Sequence, residues 1–459
     1  MLSLHVVVLA AGKGTRMKSA LAKVLHRVAG VPMIDYVLDT AAALGPSSTT
    51  IVVGHQADDV RRVLASRVGL SFVVQEPQLG TAHALLSTEP ALAAATGTLV
   101  LLSGDVPLLT TGTLSRLLER HQAAGAAATV LTAVVDRPDG YGRIVRDGGR
   151  AITRIVEEKD ASPAERDIRE INAGIYAFDL SGLYAAVRSI AAENAQQEYY
   201  LPDLVAIYRK RGLAVGTVTV EHADEIQGIN SRVELADVSR VIRYNTVRTL
   251  MASGVTIEDP QTTYIDRHVT IGADTIIHPG VSLQGRTGIG TSCEIHSGVR
   301  IVNSTLGDGV TILDHCLIVD SVVRDGGYVG PSAHLRPGSD VGVDAKVGNF
   351  VELKKAVLGP GSKASHLTYL GDVVIGANVN VGAGTIVCNY DGTQKHQTTI
   401  EDGAFIGSDS QLIAPVTIGR GAYVGTGTTV REDVPPGALA VSAGKQRNIE
   451  DWTAKRRKT

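Results

Sequence analysis

One aliphatic residue recurs every six positions through the carboxyl half of this chain, and few folds can use such a period. The series reads Ile271, Ile277, Leu283, Ile289, Ile295 and Ile301, slips by one residue to Leu306, Ile312 and Ile318, and returns at Val329, Leu335, Val341, Val347 and Leu353. It continues through Leu358, Ala364 and Leu370, then Ile375, Val381 and Val387, and closes with Ile400, Ile406, Leu412, Ile418, Val424 and Val430. Six matches neither helical spacing nor the alternation of a half-buried strand. It fits a solenoid in which each side of a coil turns one aliphatic inward and small residues form the corners. Residues 388–399, CNYDGTQKHQTT, break the count and read as a loop thrown out from the solenoid. A narrow aliphatic stack needs few rings. That accounts for only 4 Phe, 1 Trp and 13 Tyr in 459 residues, and for the 50 glycines being densest after residue 253.

The amino half is built differently. LHVVVLAA, TIVVG, LSFVVQ, TLVLLSG and ATVLTAVV are short apolar runs, with helical stretches such as MIDYVLDTAAALG and LSRLLERHQAAG between some of them. Strand followed by helix, repeated, predicts an α/β domain around a largely parallel sheet, with ligands beyond the carboxyl ends of the strands. Residues 231–254 carry apolar positions at helical spacing and end on Gly254. The expected organisation is an amino-terminal domain over 1–229, a linker helix over 230–254 and a solenoid with a carboxyl-terminal tail over 255–459.

Composition narrows the function classes. A formal charge of −3 argues against wholesale wrapping of nucleic acid. The opening residues lack a basic leader, and no apolar run is long enough to span a membrane. Cys293, Cys316 and Cys388 cannot all pair within one chain and read as reduced thiols of a cytoplasmic protein.

The polar residues that follow the amino-terminal runs suit nucleotide chemistry. LAAGKGTRM, residues 9–17, leaves the first run as a glycine-rich turn whose N–H groups can cradle phosphate, with Arg16 and Lys23 supplying positive charge. Asp105 ends another apolar run and, buried there, needs a metal or hydrogen bonds. QEPQLGTAHA places Gln75, Gly80 and Thr81 where the edge of a flat base could be read. GYGRI, VEEKD and INAG offer Gly142, Glu157 and Asn172 to sugar hydroxyls. Each alone is also explained by an ordinary polar loop.

Taken in order, these motifs resemble the sugar-1-phosphate nucleotidyltransferases. With the hexapeptide repeats attached, essentially the whole chain resembles the bacterial bifunctional enzymes that join an N-acetylglucosamine-1-phosphate uridylyltransferase to a glucosamine-1-phosphate N-acetyltransferase. Their product, UDP-N-acetylglucosamine, is a precursor of peptidoglycan and lipopolysaccharide. The resemblance implies a Rossmann-like domain followed by a left-handed parallel β-helix, and a homotrimer. It implies that Ala11, Gly12, Lys23, Gln75, Gly80 and Thr81 contact UTP or its product. Gly142, Glu157, Asn172 and Asn230 would contact the sugar nucleotide, and Asp105 and Asn230 would hold Mg²⁺. Mg²⁺, Lys23, Arg16 and loop amides would offset the repulsion between the phosphate of N-acetylglucosamine-1-phosphate and the nucleotide, so no protein nucleophile is needed.

The solenoid carries polar residues that a structural rod has no reason to keep. His366, in SHLTYLG, is the natural general base, since an imidazole titrates near neutrality and an amine must lose a proton during acyl transfer. Arg336 and Lys354 suit a sugar phosphate. The resemblance assigns Arg336, Lys354, Tyr369 and Asn380 to glucosamine-1-phosphate, His366 to the base and Glu352 to its orientation. It places Ala383, Ser408 and Thr426 along acetyl-CoA, with Asn389 and Tyr390 reaching it from the extruded loop and Ser408 able to assist the oxyanion. Cys388 reads as a small residue near a loop rather than a nucleophile. Many relatives carry an arginine near the carboxyl terminus for coenzyme A. Ala443 stands at that position here, leaving Lys445 or Arg447 as replacements. The alternative is a single-activity sugar-1-phosphate nucleotidyltransferase whose solenoid is structural or regulatory.

Overall fold

The computed structural model describes residues 3–148, 151–442, 444 and 446–453. It divides into two compact units, Met1–Ile242 and Arg243–Thr459.

In the first unit nine strands form one sheet: β1 Leu4–Ala10, β2 Ser48–Val53, β3 Leu70–Val74, β4 Thr98–Ser103, β5 Ala128–Val134, β6 Arg143–Asp147, β7 Ala151–Val156, β8 Glu170–Asp179 and β9 Val215–Thr219. The main order is β9-β5-β8-β4-β1-β2-β3, with β6 and β7 branching from β8. Six of the seven main strands run parallel, and β8 is antiparallel to both β4 and β5. The five apolar runs in the sequence became β1 to β5. Their side chains alternate between two apolar layers: Val6, Val8, Val100 and Leu102 pack on one face, and Val7, Leu99 and Leu101 on the other. A sheet covered on both faces buries nearly every residue of its central strands, which explains why those runs are continuous rather than alternating, while the edge strand β3 stays partly exposed. Helix Met33–Ala42 contributes to the first layer, and Leu183–Val187 and Asp203–Lys210 to the second.

The helix Arg232–Ala252 occupies the region expected to be helical. Val238 and Ile242 pack into a core layer of the first unit, and Val247 into the core of the second.

The second unit is a parallel β-helix of the left-handed hexapeptide type. Strands of two or three residues dominate, and each pairs in parallel with the strand one coil further on. On one side the register runs Ile277, Ile295, Ile312, Val329, Val347, Ala364, Val381, Ile406 and Val424. Every aliphatic in the six-residue series is buried in one continuous core. Full burial of such a side chain contributes about 1.5–3 kcal/mol, so the stack itself drives folding.

Val323 also belongs to this core, in register with Leu306 and Val341. The period therefore continues through it on a five-residue step from Ile318. Four such short steps contain a residue in the left-handed region: Asn303, Asp320, Lys355 and Asp372, with φ between 43° and 49°. Left-handed residues also stand in six-residue steps, as at Asp274, Ser292 and Asp344, so they turn corners of both lengths, and Asn and Asp tolerate that conformation best. The extruded loop is narrower than the 388–399 that the broken count suggests: Cys388 ends the strand Ile386–Cys388 and Thr398 begins the strand Thr398–Ile400, both paired within the stack, so only 389–397 leave it.

Candidate functional sites

In the first unit the glycine-rich turn follows β1 directly and lines a cavity of about 500 Å³. Ala11, Gly12, Lys23, Gln75, Gly80, Thr81 and Asp105 all border it. Gly14 has a φ of 61°, and a Cβ there would press within 2.8 Å of the Lys23 Cβ. Glycine thus lets the turn close over Lys23. Gln75 is buried and donates from Nε2 to the Gly80 carbonyl at 2.9 Å, while the Thr81 hydroxyl accepts from the Leu201 N–H at 3.1 Å.

The floor of this cavity is electrostatic. Lys23 Nζ donates both to Asp105 Oδ2 and, at 2.6 Å, to Asn230 Oδ1. The loop bearing Asn230 is tied down by the Ile229 N–H donating to the Asp105 carbonyl at 3.0 Å, and by the Asn230 N–H donating to Glu234 Oε2 at 2.6 Å. Two hard oxygens from distant segments therefore converge on one point that a cation already occupies. That donor set suits Mg²⁺, which prefers oxygen ligands.

A smaller cavity of about 150 Å³ shares Leu9, Thr81 and Ser103 with the first and is bordered by Glu157, Asn172 and Tyr176. Asn172 is fixed by its side chain, which donates to the Tyr176 hydroxyl at 2.7 Å and accepts from the Gly174 N–H at 3.1 Å. Its own N–H donates to the Gly142 carbonyl at 2.8 Å. Burial, with Asp203 and Asp160 nearby, pushes the Glu157 carboxyl above its ordinary pKa. The structure thus brings Gly142, Glu157 and Asn172 together. Arg16 is exposed and does not border either cavity.

Other residues border this site as well. Gln78 donates to the Ala11 carbonyl and borders the large cavity with Lys13, Ser103 and Glu198. Gln78 follows the apolar run by only a few residues, as Gln75 does, and that placement could have marked it.

In the second unit, residues on either side of an inward aliphatic both point outward. Glu352 and Lys354 flank buried Leu353, and the register sets Tyr369 beside Glu352 and Gly371 beside Lys354. Arg336 donates from Nη1 to Glu352 Oε1 at 2.8 Å. A Cβ at Gly371 would fall within 2.7 Å of the Tyr369 ring carbon Cζ, so glycine at 371 opens the space in which the Tyr369 ring lies. Asn389 is held by the Asp372 carboxylate at 2.5 Å. Lys395, from the extruded loop, approaches Lys354 and, with burial and Arg336, pulls the Lys354 amine below its ordinary pKa. Arg336, Lys354 and Lys395 thus form one cationic cluster. Nothing in the linear chain marks Lys395, because a loop outside the period reveals no neighbours.

His366 ends the strand Lys363–His366, and its register partner is Asn349. The His366 Nδ1 lies 2.5 Å from Asn349 Oδ1. No bond from Glu352 to His366 occurs among the described residues, where the Glu352 carboxylate engages Arg336 instead. Extending the register from Ala364–Val381, Val381–Ile406 and Ile406–Val424 sets His366, Ala383, Ser408 and Thr426 in one column across successive coils. Asn380 lies on the same side of the coil as the His366 strand, paired with Lys363 and Phe405, not with Arg336, Lys354 and Tyr369. Tyr390 is exposed and donates from its hydroxyl to the Gly392 carbonyl at 2.6 Å. Ala443 and Lys445 lie outside the described residues, and Arg447 is exposed.

Comparison with known proteins agrees with this two-part organisation. Residues 6–171 match the MobA-like NTP transferase domain, and residues 397–432 match the bacterial transferase hexapeptide family. The chain is 50% identical over 452 residues to the bifunctional protein GlmU of Pelobacter propionicus, covering 98% of each chain. It is 50% identical to that of Trichlorobacter lovleyi over 98% of each, and 49% identical to that of Geotalea uraniireducens over 99% of this chain and all of the relative. The chain belongs to the GlmU family, the bifunctional uridylyltransferases and acetyltransferases that its motifs resemble.

Proposed function

We propose that the two sites perform successive steps in making UDP-N-acetylglucosamine: acetylation of glucosamine-1-phosphate on the β-helix, then uridylyl transfer to N-acetylglucosamine-1-phosphate in the amino-terminal cleft. The observation that carries the second step is the cation position shared by Asp105 and Asn230 beneath the glycine-rich turn.

In uridylyl transfer a sugar-phosphate oxygen forms a bond to the α-phosphorus of UTP, and the bond to the departing pyrophosphate breaks. Lys23 and the turn amides of Ala11 and Gly12 stabilise charge on the phosphates. Gln75, Gly80 and Thr81 hold the base, and Glu157, Asn172 and Gly142 hold the sugar. Mg²⁺, held by Asp105 and Asn230, would neutralise phosphate charge as a Lewis acid. Arg16, exposed beside the cavity, contributes once polyphosphate extends toward it.

In acetyl transfer the amine attacks the thioester carbonyl of acetyl-CoA, and coenzyme A thiolate departs. With the Asn349 amide oxygen facing Nδ1, the ring proton sits on Nδ1 and leaves the Nε2 lone pair free to take the amine proton. The Arg336, Lys354 and Lys395 cluster receives the sugar phosphate, with Tyr369 beside it. Ala383, Ser408 and Thr426 would line the path of acetyl-CoA, because they form a column with the base. Asn389 and Tyr390 reach it from the loop, and Arg447 or Lys445 meets its phosphates. Asn380 and His366 lie on a different side of the coil from Tyr369, which supports a trimer in which neighbouring chains complete each acetyl site. Three free cysteines support a reducing, cytoplasmic setting. Among the described residues no helix is long and apolar enough to cross a membrane.

The test is the full-length protein with glucosamine-1-phosphate, acetyl-CoA, UTP and Mg²⁺, following coenzyme A and pyrophosphate separately. Both should appear, and pyrophosphate release should depend on prior acetylation. A protein that releases pyrophosphate from supplied N-acetylglucosamine-1-phosphate but never coenzyme A would be a nucleotidyltransferase with an inert solenoid.

A further inference from the structure

Several coils before the His366 strand, the first coils of the β-helix carry a ladder of imidazoles and carboxylates. His278 and His296 each follow an inward isoleucine, Ile277 and Ile295, and so project outward one coil apart. Their rings stack with centroids 4.7 Å apart. Glu294, which precedes Ile295, projects from the same side. His278 Nε2 lies 3.2 Å from Glu294 Oε1, and His296 Nε2 lies 3.3 Å from the same oxygen. One ligand atom from each of the three residues falls within 4.8 Å of the others. Tetrahedral ligands at about 2.0–2.1 Å from an ion sit about 3.3–3.4 Å from one another, and the two distances to Glu294 Oε1 match that spacing.

The far nitrogens strengthen the match. His278 Nδ1 lies 3.0 Å from Glu258 Oε2, and His296 Nδ1 lies 3.9 Å from Asp314 Oδ2. A metal-bound imidazole characteristically donates its other N–H to a carboxylate, which fixes the tautomer and aims the lone pair at the ion. His278 has that carboxylate at hydrogen-bond distance, whereas Asp314 stands too far from His296 to accept its N–H directly. Both side chains are only about a quarter exposed, at 22% and 26%, which limits the rotamers they can adopt.

We propose that His278, His296 and Glu294 form a binding site for a divalent transition ion of the zinc class, with Glu258 positioning the His278 imidazole. Two nitrogens and one carboxylate favour zinc or its neighbours over Mg²⁺, which takes oxygen ligands. Water completes the fourth position. The ion ties together adjacent coils close to Thr256–Ile257, the first strand of this side. An ion joining adjacent coils adds to the nearest-neighbour interactions that hold a solenoid together.

The experiment uses the full-length protein, stripped with chelator and re-equilibrated with zinc in excess Mg²⁺, which keeps the oxygen site at Asp105 from taking zinc. Bound zinc is measured by elemental analysis after gel filtration, and unfolding temperature is recorded with and without it. The wild-type chain should retain one zinc per chain and unfold at a higher temperature with it. Glu294→Gln and His296→Gln should each lose the bound zinc and the temperature shift. Glu258→Gln should keep the site but bind zinc about 10–100-fold more weakly, while Asp105→Asn binds it as the wild type does. Failure of the wild type to retain zinc would leave only a ladder of His–carboxylate hydrogen bonds and overturn the proposal. So would retention of zinc by His296→Gln, or its loss in Asp105→Asn.

Discussion

Lys23 Nζ lies 2.6 Å from Asn230 Oδ1 and also donates to Asp105, although the three residues are far apart in sequence. The side chains of Lys23 and Asp105 are mostly buried, at 13% and 20% exposed. Removing the ammonium should therefore cost charge stabilisation that water cannot replace. Lys23→Ala is expected to slow uridylyl transfer by about 10²–10³-fold, the cost of losing one preorganised donor, with coenzyme A release unchanged. The same variant should bind Mg²⁺ more tightly, because the cation competing for the two oxygens is gone. Steady-state assays of each product and a Mg²⁺ titration check both outcomes.

The short contact between His366 Nδ1 and Asn349 Oδ1 makes Asn349 a positioning residue for the base. His366→Ala should lower acetyl transfer by about 10²–10⁴-fold and leave pyrophosphate release from supplied N-acetylglucosamine-1-phosphate intact. Asn349→Ala should lower kcat for acetylation with little change in KM for either substrate. An equal loss of both activities in His366→Ala would refute the separation of the sites.

Lys395 and Arg336 hold the Lys354 amine below its ordinary pKa. The unfavourable state is the charged one, and an arriving phosphate relieves it. Affinity for glucosamine-1-phosphate should therefore fall as pH rises through this depressed pKa, where Lys354 loses its proton. In Lys395→Met the amine titrates closer to its usual range, so the fall should move to higher pH even though overall affinity is weaker. The pH dependence of KM in the two proteins measures the displacement.

Glu157 is the opposite case, with a carboxyl raised above its ordinary pKa chiefly by burial. Below the ordinary carboxylate value the group is protonated in both folded and unfolded chains. As pH rises beyond that value the unfolded chain ionises first, and stability declines until the folded pKa is passed. Glu157→Gln should remove that decline, so the variant gains stability at neutral pH and nothing in acid. It should also raise KM for N-acetylglucosamine-1-phosphate by about tenfold or more, since a charge-assisted hydrogen bond contributes roughly 1.5–3 kcal/mol. Denaturant unfolding at two pH values and one KM determination suffice.

Much of this architecture was legible in the linear chain. The six-residue series specified the β-helix because every coil repeats the same inward position, and each member of that series is in the core. The five apolar runs marked β1 to β5 because a sheet covered on both faces demands them. β6, β7, β8 and β9 were harder to see. Arg143–Asp147 and Ala151–Val156 mix charged and apolar residues, and Glu170–Asp179 contains asparagine and glycine, so none of the three gives a continuous run.

Residue types at the sites, their order and the family they resemble follow from sequence, because glycine turns, a buried acid and a histidine among cations are local statements. Only the tertiary structure decided who meets whom. Asn349 rather than Glu352 faces His366, Lys395 joins Lys354 from a loop outside the repeat, and His278 and His296 stack although eighteen positions apart. Those encounters depend on how many residues each corner consumes. The five-residue steps through Lys355 and Asp372 each shorten their coil by one residue, so partners in register there stand seventeen rather than eighteen positions apart.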